Sequence, residues 1–336
     1  MEIEIMRTNA LFGFTRQVLT LAACVCLAWI SPSAMAQIFP AKPVRVIVPF
    51  PPGGADVTLR IVQPMWQEEL GQPVVVENRA GANGIIGTDY MTKQSPDGYT
   101  LVWTASNPIV TGPVTTPKET TYDPNRDMTH ISKLLTGVVT IAVPSALPVN
   151  SLRELIDHAR RNPGKLSFGS VGIGSSQHID GEILKLRAGI DMLHVPYKGF
   201  GQVLPDLVAD RIQLAFIAYL SAVAQLNAGK LKVLAITGRP YARMPGVPVV
   251  DEVVPGFERL PVWSASLHAP AGLPRPILNR IHASLLKILT GTDLRRKFED
   301  DGYLVTVNTP EEFSAEVRSS LEKTAALIKL SGVQIQ

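Results

Sequence analysis

Along this chain, short apolar runs alternate with longer stretches whose apolar residues recur every three or four positions. Runs of strand length fall at 44–48, 74–77, 100–104, 140–143, 166–170, 192–195, 212–218, 233–237 and 262–268. Their length and flanking turn signals predict strands. Helices are predicted between many of them. Ser151-Leu152-Arg153-Glu154 is a capping box and Asn162-Pro163-Gly164 a stop signal, so one helix lies between the two. Pro276 opens another, with Ile277, Ile281, Leu285 and Ile288 on one face. Thr309-Pro310-Glu311-Glu312 supplies an N-cap, an N1 proline and two first-turn acids for the last helix. Strands alternating with helices predict an α/β fold, each lobe a mostly parallel sheet flanked by helices.

The first 36 residues follow a different pattern. Arg7 and Arg16 supply positive charge, Val18 to Ile30 is an apolar run broken only by Thr20, and Ala34-Met35-Ala36 is a small-x-small cleavage site. The run is short for a bilayer span, so residues 1–36 read as a secretory signal peptide cleaved after Ala36. Leu21-Ala22-Ala23-Cys24 resembles a lipidation box, but the apolar run continues past Cys24 to Ile30. Cleavage after Ala36 is therefore expected in preference to lipid anchoring at Cys24. Both cysteines, Cys24 and Cys26, lie in this segment. A mature chain without cysteine excludes disulfides, cysteine metal sites and thiol nucleophiles.

What remains is about 300 residues, enough for a large core and two lobes. The net charge is +3, and the two arginines and two glutamates of the first 36 residues cancel, so the mature charge is the same. No Lys/Arg cluster points to nucleic acid, and no second apolar stretch of about 20 residues points to a membrane span.

Ligands of open α/β sheets bind where strands end and helices begin. Four such loops stand out. In 49–56, Pro51 and Pro52 stiffen the turn, while Gly53 and Gly54 free the backbone beside a helix start that suits an anion. The second, 78–87, is rich in glycine, and the third, 104–108, offers Ser106 and Asn107. The fourth, 169–178, has the highest donor density: Ser170, Gly172, Gly174, Ser175, Ser176 and His178. One of the two adjacent serines is expected to cap a helix beginning near Gln177. His178 would sit in its first turn, where the helix dipole keeps the imidazole neutral. This arrangement suits a carboxylate; the same residues also describe a capped helix with no ligand.

Other chemistries fail on detail. No Gly-Lys-Ser/Thr ending makes a P-loop, no Gly-x-Gly-x-x-Gly follows a strand, and no Gly-x-Ser-x-Gly elbow presents a nucleophile. His178, Asp180, Glu182 and His194 have no recognised ligand spacing, so neither a metal nor a cofactor is expected. Trp66, Trp103 and Trp263 are expected in the core or on a cleft wall.

The string from Phe39 to Gly54, FPAKPVRVIVPFPPGG, resembles the mature start of Bug-type receptors, the periplasmic substrate-binding components of tripartite tricarboxylate transporters. Residues 76–84, 95–101, 162–166, 174–178, 194–199, 228–231 and 269–274 match the family pattern in family order. The resemblance covers nearly all of residues 37–336. It implies a two-lobed, periplasmic-binding-protein fold of the type II-like, Venus flytrap kind. Lobe 1 would comprise 37–139 and 264–336, and lobe 2 residues 140–263. It implies a monomeric, non-enzymatic periplasmic receptor. A small carboxylate would be held between the lobes for delivery to the membrane permease subunits of a tripartite tricarboxylate transporter.

The resemblance carries ligand contacts onto Phe50, Pro51, Gly53, Gly54, Ser106, Asn107, Ser170, Gly174, Ser175, Ser176, His178, Tyr197, Ile217 and Ala218. Two departures bear on this. One residue fewer separates Gly54 from the acid that Asp56 matches. Ile217-Ala218-Tyr219 stands where relatives often carry an acid. Without that acid an amino acid is a poorer ligand. A di- or tricarboxylate is expected, or an aromatic acid stacking near Phe50, Trp103 or Tyr219. Two other roles are open at this point: a receptor presenting its ligand to a signalling partner, which the sequence does not separate from a transport receptor, and an exported serine hydrolase using Ser175 and His178, against which the missing nucleophile elbow argues.

Overall fold

A computed structural model describes residues 39–198 and 200–333. The chain divides into two compact units, Met1–Ala41 and Lys42–Gln336. Only 39–41 of the first are described, so the expected signal peptide, its cleavage site and the Cys24 motif lie outside the described residues.

The second unit opens with β1 (Val44–Val48), α1 (Ala55–Leu70), β2 (Val74–Asn78), α2 (Ile85–Thr92), β3 (Thr100–Thr104) and β4 (Met128–Gly137). There follow β5 (Val139–Pro144), α3 (Leu152–Arg161), β6 (Leu166–Ser170), α4 (Ser176–Ala188), β7 (Met192–Pro196), α5 (Phe200–Val208), β8 (Leu214–Ala218), α6 (Tyr219–Asn227) and β9 (Leu231–Thr237). The last elements are β10 (Ala265–Pro270), α7 (Arg275–Thr290), α8 (Thr292–Asp300), β11 (Tyr303–Val305) and α9 (Pro310–Ser331). Two sheets result, ordered β11-β4-β10-β3-β1-β2 and β7-β6-β8-β5-β9.

Both sheets are mixed, which corrects the expectation of mostly parallel ones. β1 runs parallel to β2 and β3, and β6 parallel to β7 and β8. β10 is antiparallel to β3 and β4, β11 to β4, and β5 to β8 and β9. The parallel strands are joined by helical crossovers, which parallel pairing requires. The chain crosses between the sheets from β4 to β5 and from β9 to β10. Those connections are not βαβ crossovers, and the strands they deliver enter antiparallel.

The helix ends follow their signals. Ser151 Oγ accepts the Glu154 N–H at 3.1 Å, and Glu154 reaches back to the Asn150 N–H at 2.7 Å, one residue short of a closed capping box. Thr309 and Glu312 close theirs. α9 then lays Phe313 and Val317 into the core under the first sheet, and Leu327 and Ile328 into the core of the second. All three tryptophans named above are core residues rather than cleft walls: Trp66 donates to Ser284, Trp103 to Thr58 and Trp263 to Ser266.

β4 has no counterpart among the predicted strands. Its polar residues are buried and paired: Ser132 with Asn308, and His130 with His268 of β10. The two imidazoles meet Nδ1 to Nδ1 at 2.7 Å. Ser266 Oγ donates its one proton to the Thr104 carbonyl at 3.0 Å. His268 Nε2 must therefore carry a proton and donate to Ser266, at 2.8 Å. That leaves His268 Nδ1 as acceptor and His130 Nδ1–H as donor. His130 Nε2 makes no hydrogen bond of ordinary geometry among the described residues, and the Pro124 carbonyl acts on this ring against burial. Burial holds both rings neutral: His130 is pushed down to about 4, with Arg318 adding, and His268 well below its ordinary value.

A second buried charge sits on α4. Asp180 accepts the Leu260 N–H at 3.3 Å and faces Arg259 Nη2 at 3.5 Å. Burial pushes its carboxyl up to about 6 against the pull of Arg259.

Two outcomes follow. Groups whose folded pKa is depressed bind protons more weakly than in the unfolded chain, so the stability they confer is present above about 6.5 and lost on acidification. Asp180 acts in the opposite sense between about 6 and its ordinary value, but alone against four histidines lowered in this way. The melting temperature is expected to fall from pH 6.5 towards 4. His130→Asn, which keeps a donor for His268, should flatten that slope; an equal slope in calorimetry would refute the assignment. Removing one partner of the buried ion pair by Asp180→Ala should cost about 3 kcal/mol in urea unfolding. A loss under about 1 kcal/mol would show that Arg259 finds solvent instead.

Candidate ligand cleft

Three loops of the first sheet interlock. The 49–56 loop leaves β1 and turns at Gly53 and Gly54, whose φ angles are +125° and +47°. Added Cβ atoms there would meet nothing within 4 Å. Positive φ, not crowding within the protein, is what calls for glycine at both. The Phe50 carbonyl accepts from Asn78 Nδ2 at 3.0 Å, and the same amide donates to Asp56. The Phe50 ring lies 2.9 Å from where a Cβ on Gly84 would stand, and Pro108 lies 3.1 Å from it. Asn107 closes the group by donating to the Asn83 carbonyl at 2.9 Å.

Asp56 is consumed by this loop. It lies in the first turn of α1, buried, with Arg60 Nε at 2.8 Å and Asn78 Nδ2 at 3.0 Å. Burial raises its pKa, and the bonds from Arg60 and Asn78 outweigh that, so it stays below the usual carboxylate range. Ser106 is also buried and spends its N–H on the Trp263 carbonyl. Its hydroxyl has no partner among the described residues.

The 170–178 loop is closed by its own polar groups. Ser175 is the N-cap of α4, accepting the His178 N–H at 3.3 Å and donating to the Gly172 carbonyl at 2.7 Å. Ser170 Oγ, wholly buried, accepts the Gly172 N–H at 3.1 Å and lies 2.7 Å from His194 Nε2. The Gly174 N–H donates to His178 Nδ1 at 3.1 Å. His178 therefore carries its proton on Nε2 and is neutral. Its pKa is lowered chiefly by burial. His194 stacks on it with centroids 3.7 Å apart and planes 10° from parallel, and Phe168 backs His194 at 5.0 Å.

Among the sequence-predicted residues, Ser176 is the one in this loop whose hydroxyl is free of internal bonds among the described residues. It stands at the N-terminus of α4, where the first N–H groups have no intrahelical partner. This loop meets the first sheet's elements at Thr115, whose Cβ is 3.9 Å from the place a Gly174 Cβ would take. Tyr197 lies beside it, its N–H on the Ser170 carbonyl and its hydroxyl on Asp206. Ala218 is half-buried, and Ile217 is wholly buried in the core of the second sheet. Pro51 and Gly54 are exposed, Phe50 and Gly53 half-buried. Tyr219 is half-buried, its ring set edge-to-face with Tyr241 and close against Gly302.

The His194 contact was missed in the sequence. β6 and β7 pair in parallel with Phe168 opposite His194, and only that register brings the ring to Ser170 and His178. The arrangement does not fit nucleophilic catalysis. Ser175 gives its proton to a carbonyl, and Ser170, which does meet an imidazole, has no exposed surface. No cluster of three metal-ligating side chains occurs among the described residues.

Comparison with known proteins accords with this geometry. The family model described as "Tripartite tricarboxylate transporter family receptor" matches residues 58–333. Protein BugT of Bordetella pertussis is 31% identical, over 96% of this chain and 100% of its own length. An R. palustris protein solved with adipate is 28% identical, with 88% of this chain and 99% of that one covered at a TM-score of 0.77. MatC from Rhodopseudomonas palustris, solved with bound malate, is 27% identical, with 86% and 100% covered at a TM-score of 0.72. The two-lobed α/β architecture, the loops at the strand ends and the family match converge: this chain belongs to the tripartite tricarboxylate transporter receptor family and is a periplasmic solute-binding receptor, not an enzyme.

Proposed function

We propose that this receptor binds a small carboxylate between its lobes and delivers it to the membrane permease of a tripartite tricarboxylate transporter. The lobes in this reading are 37–139 with 264–336, and 140–263, and the receptor acts as a monomer after cleavage behind Ala36. The observation that carries the reading is the 170–178 loop, which holds the start of α4 open beside Thr115 with neutral donors only. Several aligned neutral donors bind an anion without a countercharge. Ser176, the free first-turn N–H groups of α4, Ser106 and the Gly53–Gly54 backbone are the candidate donors.

The ligand lacks an amine. An ammonium needs a carboxylate partner, and Asp56, the acid of the 49–56 loop, is bonded to Arg60 and Asn78. Ile217 and Ala218 bring no acid to the end of β8. Adipate and malate, found with the two R. palustris proteins, are ligands of this kind. Of the aromatic side chains considered for stacking, Trp103 is core, while Phe50 and Tyr219 are half-buried, packed against Gly84 and Gly302 respectively.

The test is a thermal-shift screen at neutral pH. Adipate, malate, citrate or benzoate is expected to raise the melting temperature; stabilisation by aspartate or glutamate alone would sink the amine-free reading. Ser176→Ala should weaken the best ligand about tenfold, the worth of one hydrogen bond to a charged group.

A further inference from the structure

His178 and His194 come from different elements, yet together they touch both ends of the 170–178 loop. His194 Nε2 sits 2.7 Å from Ser170 Oγ where the loop leaves β6. His178 Nδ1 takes the Gly174 N–H at 3.1 Å where the loop enters α4. The rings lie face to face at 3.7 Å, so moving either moves the other. We propose that His194 is a positioning residue for this loop, and that it forms with His178 a clasp that holds the loop only while His178 Nδ1 is unprotonated. The inference rests on reading 170–178 as the ligand loop.

The chemistry is simple. A neutral imidazole accepts at one nitrogen, and an imidazolium accepts at neither. A proton on His178 Nδ1 would face the Gly174 N–H, donor against donor, and the bond that shapes the loop is lost. A second positive charge on the stacked ring is opposed by the first. The charges acting on the pair are Glu182 and Lys185 of α4, themselves ion-paired at 2.9 Å. On His178, burial acts downward, Glu182 upward and Lys185 downward. On His194, burial, His178 and Lys185 all act downward, to about 4. Phe168 and Ser170 of β6 bring no charge. At neutral pH both rings are therefore uncharged and the clasp is shut; on acidification, proton and loop compete for one nitrogen.

The experiment is a pH titration of the ligand-free protein by NMR. The Gly174 amide resonance is expected to move with the same midpoint as the His178 ring, below 6.5. In His194→Gln, which keeps a partner for Ser170 but no ring, both midpoints should rise together as the ring that helps bury His178 is lost. A Gly174 amide that stays fixed while His178 titrates overturns the proposal, as does an unchanged midpoint in the variant. Adipate serves as the ligand probe, with the ratio of variant to wild-type Kd cancelling its own ionisation. That ratio should grow several-fold between pH 7.5 and 5.5; a constant ratio overturns the link to binding. If adipate does not bind at any pH, the choice of ligand class is in question, and the amide titration still decides the clasp.

Discussion

The tighter of the two chain crossings between the sheets is a single residue. Val138 is the single residue between β4 and β5, and it faces both ways. Its N–H donates to the Gly302 carbonyl beside β11, at 2.9 Å, and its carbonyl receives the Tyr219 N–H at the start of α6, at 2.8 Å. Its side chain is buried in a small apolar cluster with Ile236, Tyr241 and Val249, against which Leu304 also packs. A one-residue link leaves little slack, since a residue spans at most about 3.6 Å. Gly302 has a φ of +79°, and the Tyr219 ring lies 2.7 Å from where its Cβ would be, so the closeness of the link excludes a side chain there. The Tyr241 hydroxyl donates to the Glu299 carbonyl at 2.7 Å, and Arg243 pairs with Asp300.

Further from Val138 the two sheets are tied by α9. A helix of 22 residues is about 33 Å long. That is enough to bury Phe313 and Val317 in one core and Leu327 and Ile328 in the other. Lys133 with Glu316, and Lys323 with Glu258, fix it at two places along its length. The exposed second pair contributes little, because solvent screens it. The apolar residues do most of the anchoring. Asp180 and Arg259 then secure α4 to the chain segment that returns to β10. α4 is the helix whose start the 170–178 loop presents, so the loop's position is inherited from the core.

How much of this the sequence revealed depends on which physical signal each element used. β1, β3 and β6 were legible residue for residue: β1 and β3 are short, mainly apolar runs between turn residues, and β6 alternates Leu166 and Phe168 with small residues. β8 starts at Leu214, two residues late, because Ile212 is buried without joining the ladder. Hydrophobicity reports burial, and pairing is a separate matter. β4 was hidden by Thr129, His130, Ser132 and Lys133, polar residues that ordinarily mark a surface. Their partners, His268, Asn308 and Glu316, lie more than 130 residues away, beyond any local pattern. The site divides the same way. The Ser175 cap was legible because capping is local. That Ser170 and His178 share a stacked partner in His194 was not, because it follows from the β6–β7 register.

The two sides of the cleft solve the same problem differently. On the first, Phe50, Gly84 and Pro108 lock three loops by shape; the Gly53 and Gly54 carbonyls accept from the Asp56 and Thr58 N–H groups, and the N–H groups of the two glycines have no partner among the described residues. On the second, hydrogen bonds do the locking. Ser170, Gly174 and Ser175, which looked like ligand donors in the sequence, are already spent on it. A carboxylate that recruited them would have to break bonds worth about 1 kcal/mol each before gaining its own. Ser176, the unpaired N–H groups of α4 and the Ser106 hydroxyl carry no such cost. In the proposed reading, the residues that shape the 170–178 loop and those that would meet an anion are thus different members of the same short motif. What separates them is whether their donors are already satisfied, not their place in the sequence.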